Sequence, residues 1–171
     1  KIWEKENSDA PWLVPDSVIF LEKWLKKNMK GFEFGSGRST KWFTNKISFY
    51  YSVEGNIEWY NKTINENKEN IQKQRCEIIY KDIGNQLEID LAKKNAYANS
   101  LSKFQNNYFD FGLVDGHFRY ECIEKSLRKL KKGGILIIDN TDAIDNVEYF
   151  LENYESKRFT NGISETTILF I

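Results

Sequence analysis

The run Ile135-Leu136-Ile137-Ile138 limits how this chain can fold more than any other stretch. Consecutive large apolar residues cannot turn alternate side chains to water. They read as a strand buried on both faces, as in a parallel sheet covered by helices on either side. Strand and helix patterns alternate along the rest of the chain. Strands are expected at the segment ending in Phe34, at Ile47 to Val53, Cys76 to Tyr80 and Phe109 to Val114, then near Phe159 and over Thr166 to Ile171. Helices are expected after a cap at Asp16 or Ser17, over Thr40 to Asn45, Asn56 to Gln72, Ala98 to Phe104, Phe118 to Leu130 and Ala143 to Tyr154. Gly133 or Gly134 would end the fifth of these, and its pairs Glu121–Lys125 and Glu124–Arg128 would support it. Such alternation predicts an α/β, doubly wound, mostly parallel sheet with helices on both faces.

The segment Gly31-Phe32-Glu33-Phe34-Gly35-Ser36-Gly37-Arg38-Ser39-Thr40 carries an apolar strand into a Gly-x-Gly turn, with Ser39 and Thr40 able to open a helix. Strand, glycine turn and helix N-terminus together suit a nucleotide-like ligand held against bare backbone. Glu54 ends the second strand 17 residues after Gly37. That is close to the roughly 20-residue spacing at which an acid reaches a ribose diol. Gly35, Glu54, Asp82, Asp115 and Asp139 all fall at strand carboxyl ends, where ligands of open α/β sheets bind. They should ring one crevice. A nicotinamide site is the nearest rival, but its fingerprint wants a third small residue where this chain has Thr40.

Composition narrows the function further. At 171 residues the chain fits one domain, 1–171, with residues 1–28 as an N-terminal helical segment packed on the core. The formal net charge is zero, so no basic field draws nucleic acid. No apolar run approaches the roughly 20 residues of a membrane span. Cys76 and Cys122 read as free buried thiols, which places the chain in a reducing, cytoplasmic setting.

These motifs resemble the class I S-adenosylmethionine-dependent methyltransferases. Within them the chain is similar to a bacterial group that carries a Pro-Trp segment (here Pro11-Trp12-Leu13-Val14-Pro15) and Glu-x-Gly-Ser-Gly-x-Ser-Thr (Glu33 to Thr40). Also shared are Ser-Val-Glu (Ser52 to Glu54) with a Trp-Tyr pair (Trp59-Tyr60), Val-Asp-Gly-x-x-Arg (Val114 to Arg119) and Gly-Gly-x-Leu-x-x-Asp-Asn (Gly133 to Asn140). The group often has Arg after the Asp-Gly, where this chain has His117. The resemblance implies a Rossmann-like, seven-stranded sheet with an antiparallel last strand and S-adenosylmethionine as cofactor. Implied contacts run through Glu33, Gly35, Ser36, Gly37, Ser39 and Thr40. They continue through Glu54, Gly55 and Asn56, then Asp82 and Ile83, then Asp115 and Gly116. Glu33 would orient the turn and bind the methionyl amino group, Glu54 both ribose hydroxyls, and Asp82 with Ile83 the adenine edge.

Methyl transfer is an in-line displacement that needs an aligned, deprotonated nucleophile. Asp115, His117, Arg119 and Asp139 are the catalytic candidates: His117 as base or substrate contact, Arg119 as holder of an anionic group or as a salt bridge. Asp115, Asp139 and Asn140 also resemble the oxygen ligands of cation-dependent catechol-type O-methyltransferases, where Mg²⁺ lowers the pKa of a bound hydroxyl. The glycine-turn and Asp-Gly-x-x-Arg motifs point to the other group, so no metal ligand is expected. The reading is an O-methyltransferase for a small-molecule or sugar hydroxyl, with no nucleic-acid or membrane partner. The alternative is a non-catalytic module, or partner subunit, that binds the cofactor or S-adenosylhomocysteine. The segments 84–107 and 1–28 would select the acceptor.

Overall fold

A computed structural model describes residues 7–84 and 90–171. The first six residues of the N-terminal segment, and 85–89 within the 84–107 segment, lie outside the described residues.

The order is α1 (Pro15–Trp24), β1 (Lys30–Phe34), α2 (Arg38–Thr44), β2 (Phe49–Glu54), α3 (Ile57–Glu66), α4 (Lys68–Gln72) and β3 (Cys76–Tyr80). Then follow α5 (Leu91–Ala98), β4 (Phe109–Val114), α6 (Arg119–Leu127), β5 (Leu130–Asp139), a 3₁₀ turn (Thr141–Ala143), α7 (Glu148–Asn153), β6 (Ser156–Thr160) and β7 (Glu165–Phe170). The strands form one seven-stranded sheet in the order β3-β2-β1-β4-β5-β7-β6. β1 to β5 are mutually parallel, and β7 runs antiparallel to both β5 and β6. The sheet class, the parallel core and the antiparallel last strand are as expected from the sequence.

The sheet is covered by a core on each face. Phe32, Phe34, Leu136 and Ile138 meet Tyr97, Cys122, Ile123 and Phe150 on one face. Phe111, Leu113, Ile135 and Ile137 meet Val18 and Leu21 of α1 and Trp42 and Phe43 of α2 on the other. This double burial is the physical reason for the unbroken apolar run in β5. Two glycines settle the register between β1 and β4. Gly31 stands opposite Phe111, and Gly112 opposite Phe32. A Cβ would come within 2.4 Å of the Phe111 ring at the first and 2.1 Å of the Phe32 ring at the second.

Several boundaries differ from the sequence reading. Pro15 starts α1, with Val14 at the cap position and Ser17 Oγ donating to Val14 O at 2.6 Å. Pro at the first helical position needs no donor there, and this fixes the start ahead of Asp16. The Asn56–Gln72 helix divides at Asn67, whose side-chain amide donates back to Thr63 O at 2.9 Å. Asn competes with helix propagation in this way. The helix expected at Ala98 to Phe104 instead ends at Ala98. Asp90 starts it by accepting from the amides of Ala92 and Lys93 at 2.9 and 3.1 Å. Gly133 and Gly134 do not stop α6. They lie within β5, where the pairing jumps from Phe109–Leu130 to Phe111–Ile135, a β-bulge. Glu121 of α6 pairs with Lys94 of α5, and Lys125 with its neighbour Glu124, in place of the four-residue pairs. The segment after β5 is a 3₁₀ turn and a short helix, because Asn140 and Asn146 adopt left-handed backbone that interrupts a continuous one. Among the described residues no helix is long and apolar enough to cross a membrane. Cys76 and Cys122 are buried free thiols.

Candidate functional site

The carboxyl ends of β1, β2 and β4 open onto a cavity of about 430 Å³. From the expected set it collects Gly35, Ser36, Gly37, Ser39, Glu54, Asn56, Asp115, Gly116, His117 and Arg119. Thr40, Gly55, Ile83 and Asp139 stand behind this wall, and Glu33 and Asp82 are placed elsewhere.

The two turn glycines do different jobs. Gly35 has φ +92° and rests on the backbone of Asp115 and Gly116, where a Cβ would meet atoms at 2.7–2.8 Å. Gly116 returns the contact, with Tyr97 Oη and Gly35 N within 2.7 Å of an added Cβ. These glycines let two strand ends touch. Gly37 has extended backbone, and a Cβ there would find nothing within 4 Å. Its bareness serves the space of the crevice rather than the fold.

Glu33 lies beneath the turn and is fully buried. It accepts hydrogen bonds from Ser39 Oγ (2.7 Å), Ser52 Oγ (2.7 Å), Tyr50 Oη (3.2 Å) and Thr40 Oγ1. Thr40 Oγ1 in turn accepts from the Gly37 amide at 3.0 Å. Glu33 is therefore tied to the turn through Thr40 and is closed off from the crevice. Burial pushes its carboxyl up to about 7 against the opposing pull of the four hydroxyls.

Glu54 closes the same turn from the other side. Its Oε2 accepts from Ser36 N (2.6 Å) and Ser36 Oγ (2.9 Å), and its Oε1 from the amides of Gly55 and Asn56 (both 2.8 Å). Asn56 then caps α3, accepting from the amides of Glu58 and Trp59. Asp82 points away, paired with Lys93 at 2.7 Å and accepting from the Gly84 amide at 2.9 Å; Lys93 holds its carboxyl below the usual range. Ile83 is buried against Gly55.

His117 lines the same cavity as Asp115 and Arg119. Its ring lies 3.1 Å from where a Gly55 Cβ would stand, and edge-on to Tyr97 at 6.2 Å. That is the side of Gly55 and Ile83. Burial lowers its pKa, with the Glu54 charge pulling the other way.

Arg119 uses all five of the donors that a guanidinium has. Nε donates to Gly116 O (3.1 Å). One terminal nitrogen donates to Asp139 O and to Asn140 Oδ1 (3.1 Å), the other to Asp115 O (3.2 Å) and Asp115 Oδ1 (3.0 Å). No donor remains for a substrate anion, so Arg119 is a staple between the ends of β4 and β5. Asp115 Oδ1 and Asn140 Oδ1, two of the oxygens a divalent ion would take, accept from this internal cation. Asp139 Oδ1 accepts from Thr166 Oγ1 at 2.8 Å. With Arg119 in place, a divalent ion at Asp115, Asp139 and Asn140 would compete with the guanidinium for two of its oxygens. Burial and the neighbouring Asp139 charge raise Asp115 to about 7, with Arg119 opposing. Burial also raises Asp139.

Part of the cavity wall was not expected from the sequence. Pro11, Trp12, Leu13, Arg38 and Trp59 complete it. Trp12 and Trp59 meet edge-on at 6.4 Å, and Arg38 lies over the Trp12 ring at 5.4 Å. The signal available was the presence of both tryptophans within the shared motifs, at positions where helical spacing gives them no core role. The N-terminal segment is tied in by Val14 N, which donates to Thr166 Oγ1 at 3.1 Å, so it is linked through Thr166 to Asp139.

No family model and no curated protein matches this chain. Solved structures do. An rRNA methylase from Streptococcus thermophilus aligns with a TM-score of 0.64 at 18% identity, covering 94% of this chain and 98% of that one. A methyltransferase from Geobacter sulfurreducens aligns at 0.64 and 14% identity, over 98% and 84%. The Streptococcus mutans protein SMU.1697c, solved in complex with SAH, aligns at 0.61 and 15% identity, over 90% and 94%. Other matches are larger, and the chain spans 48% of the length of YcgJ from Bacillus subtilis. The strand order, the reversed last strand and these neighbours together identify the fold as that of the class I S-adenosylmethionine-dependent methyltransferases.

Proposed function

We propose that this chain is a cytoplasmic methyltransferase that uses S-adenosylmethionine to methylate a hydroxyl of a small molecule or sugar, as a single domain with its N-terminal segment folded onto the crevice. The observation that carries this reading is the open space at Gly37 in a cavity that Glu54 and Asp115 also line. The volume is in the range of small-ligand sites. The structural likeness to the SAH complex supports the choice of cofactor.

When bound, the cofactor supplies an electrophilic methyl group on a sulfonium. The chain's own residues supply the rest. Ser36, Gly37 and Glu54 hold the methionyl and ribose end, and Gly55, Ile83 and His117 flank the adenine side. Asp115 faces the acceptor and takes its hydroxyl proton, since a carboxyl raised to about 7 is matched to proton transfer near neutral pH. Arg119 and Thr166 position Asp115 and Asp139 and contact neither reactant.

Titration calorimetry with S-adenosylhomocysteine tests the reading. Wild type should bind, and Gly37→Ala should bind more weakly by about 1–3 kcal/mol, the scale of a clash in a packed site. Glu54→Ala should lose a similar amount, as expected for a charged hydrogen bond. Absence of binding by wild type refutes the cofactor assignment, and binding without turnover on hydroxyl acceptors favours the non-catalytic module.

A further inference from the structure

A second groove of about 650 Å³ adjoins the crevice and shares Arg38 with it. It runs along α2 and α3 and is lined by Arg38, Lys41, Lys46 and Lys62, with Asp9 and Glu66 as its acids. Lys46 is partly answered by Glu22 at 3.4 Å. No carboxylate of the described residues pairs with Arg38, Lys41 or Lys62. Two of these bases sit on exposed aromatic rings at the crevice mouth, Arg38 over Trp12 and Lys62 over Trp59 at 4.4 Å. Trp12 is 64% exposed and Trp59 37%. Cationic groups beside exposed indole rings attract a ligand that has both a ring and a negative charge. The chain as a whole carries no net charge, so this concentration is local.

We propose that the acceptor spans the crevice mouth and this groove, and that it is a small sugar bearing a phosphate. Its ring would lie at Trp12 and Trp59, and its anionic group among Arg38, Lys41 and Lys62. The role of anion holder thus passes from Arg119, whose donors are all engaged, to bases that have none of theirs committed to a described acid. A long polyanion is disfavoured because Asp9 and Glu66 stand in the same wall and leave a modest excess of charge. The term acceptor rests on the methyltransferase reading above, while the binding of a sugar phosphate does not.

The test uses the whole chain saturated with S-adenosylhomocysteine, whose own binding is measured first by calorimetry. Tryptophan fluorescence is then titrated with a panel of hexose and pentose monophosphates, their unphosphorylated parents, and a short oligoribonucleotide. A sugar phosphate should bind saturably below about 10 mM, and its parent sugar at least about tenfold more weakly. The exposed double charge reversal Lys41→Glu with Lys62→Glu should weaken the phosphate at least about tenfold while S-adenosylhomocysteine affinity changes less than about twofold. Equal binding of sugars and phosphates, no binding of either, or an unaffected double variant overturns the proposal. Oligoribonucleotide binding that exceeds every monophosphate also overturns it and assigns the groove to RNA. Sugar-phosphate binding without S-adenosylhomocysteine binding would leave the groove standing and remove the cofactor reading.

Discussion

The two sides of the crevice bury their acids by opposite means. Under the glycine turn, Glu33 is surrounded by four neutral hydroxyls and no cation. At the ends of β4 and β5, Asp115 and Asp139 are organised by one guanidinium whose five donors are all spent. Both Glu33 and Asp115 are pushed to about 7, Glu33 by burial alone and Asp115 by burial with a neighbouring acid. Neutral donors fix direction and add no charge, and each can be lost separately. A shared cation joins two strand ends, and its loss strands the Asp115 carboxylate and unties the Asp139 backbone at once.

Arg119→Met should therefore be the most damaging change, costing about 2–3 kcal/mol in chemical denaturation, as for several hydrogen bonds lost from a half-buried charged cluster. Ser52→Ala on the opposite side should cost only about 1 kcal/mol, one neutral hydrogen bond. Equal costs would break the comparison. Next in size are the glycines at the junction of the two sides. Gly35→Ala should destabilise by about 2–3 kcal/mol through overpacking and the strain of positive φ, and Gly37→Ala by less than about 0.5.

The acid under the turn also gives a pH signature. Glu33 has an ordinary value near 4.5 and a folded value of about 7. Between these values the native state holds a proton that the unfolded chain has released. Stability should thus fall as pH rises through that window, by about 1–3 kcal/mol, and level off above it. In Glu33→Gln the denaturation midpoint should vary less from about pH 5 to 8, and an unchanged slope would assign the effect to Asp115 and Asp139. The smallest effect is expected from EDTA. With Arg119 as the internal cation, chelation should leave the thermal midpoint where it was, and a drop of several degrees would restore the case for a metal.

Much of this was legible in the chain. Gly35, Glu54 and Asp115 could be placed together because parallel strands joined by crossover helices all present their carboxyl ends on one edge. Strand limits at Cys76–Tyr80 and Phe109–Val114 came out as read. Helix limits did not, since Asp90, Asn67 and Pro15 act locally and short polar helices leave a weak periodic signal. Glu33 shows the same limit within the site. Its position at a strand end was readable, but strand alternation turned its side chain to the buried face, under the turn.

Sequence by itself determined the α/β class, the parallel centre and the edge on which the crevice opens, because these follow from periodicity and from the handedness of the connections. Tertiary structure alone decided which side chains have spare bonding capacity. Arg119 and Arg38 look alike in a string of letters. One is surrounded by five acceptors from two strand ends, and the other lies over the Trp12 ring at the mouth of the crevice. That difference depends on what packs around each residue in space, and residues far apart along the chain supply it.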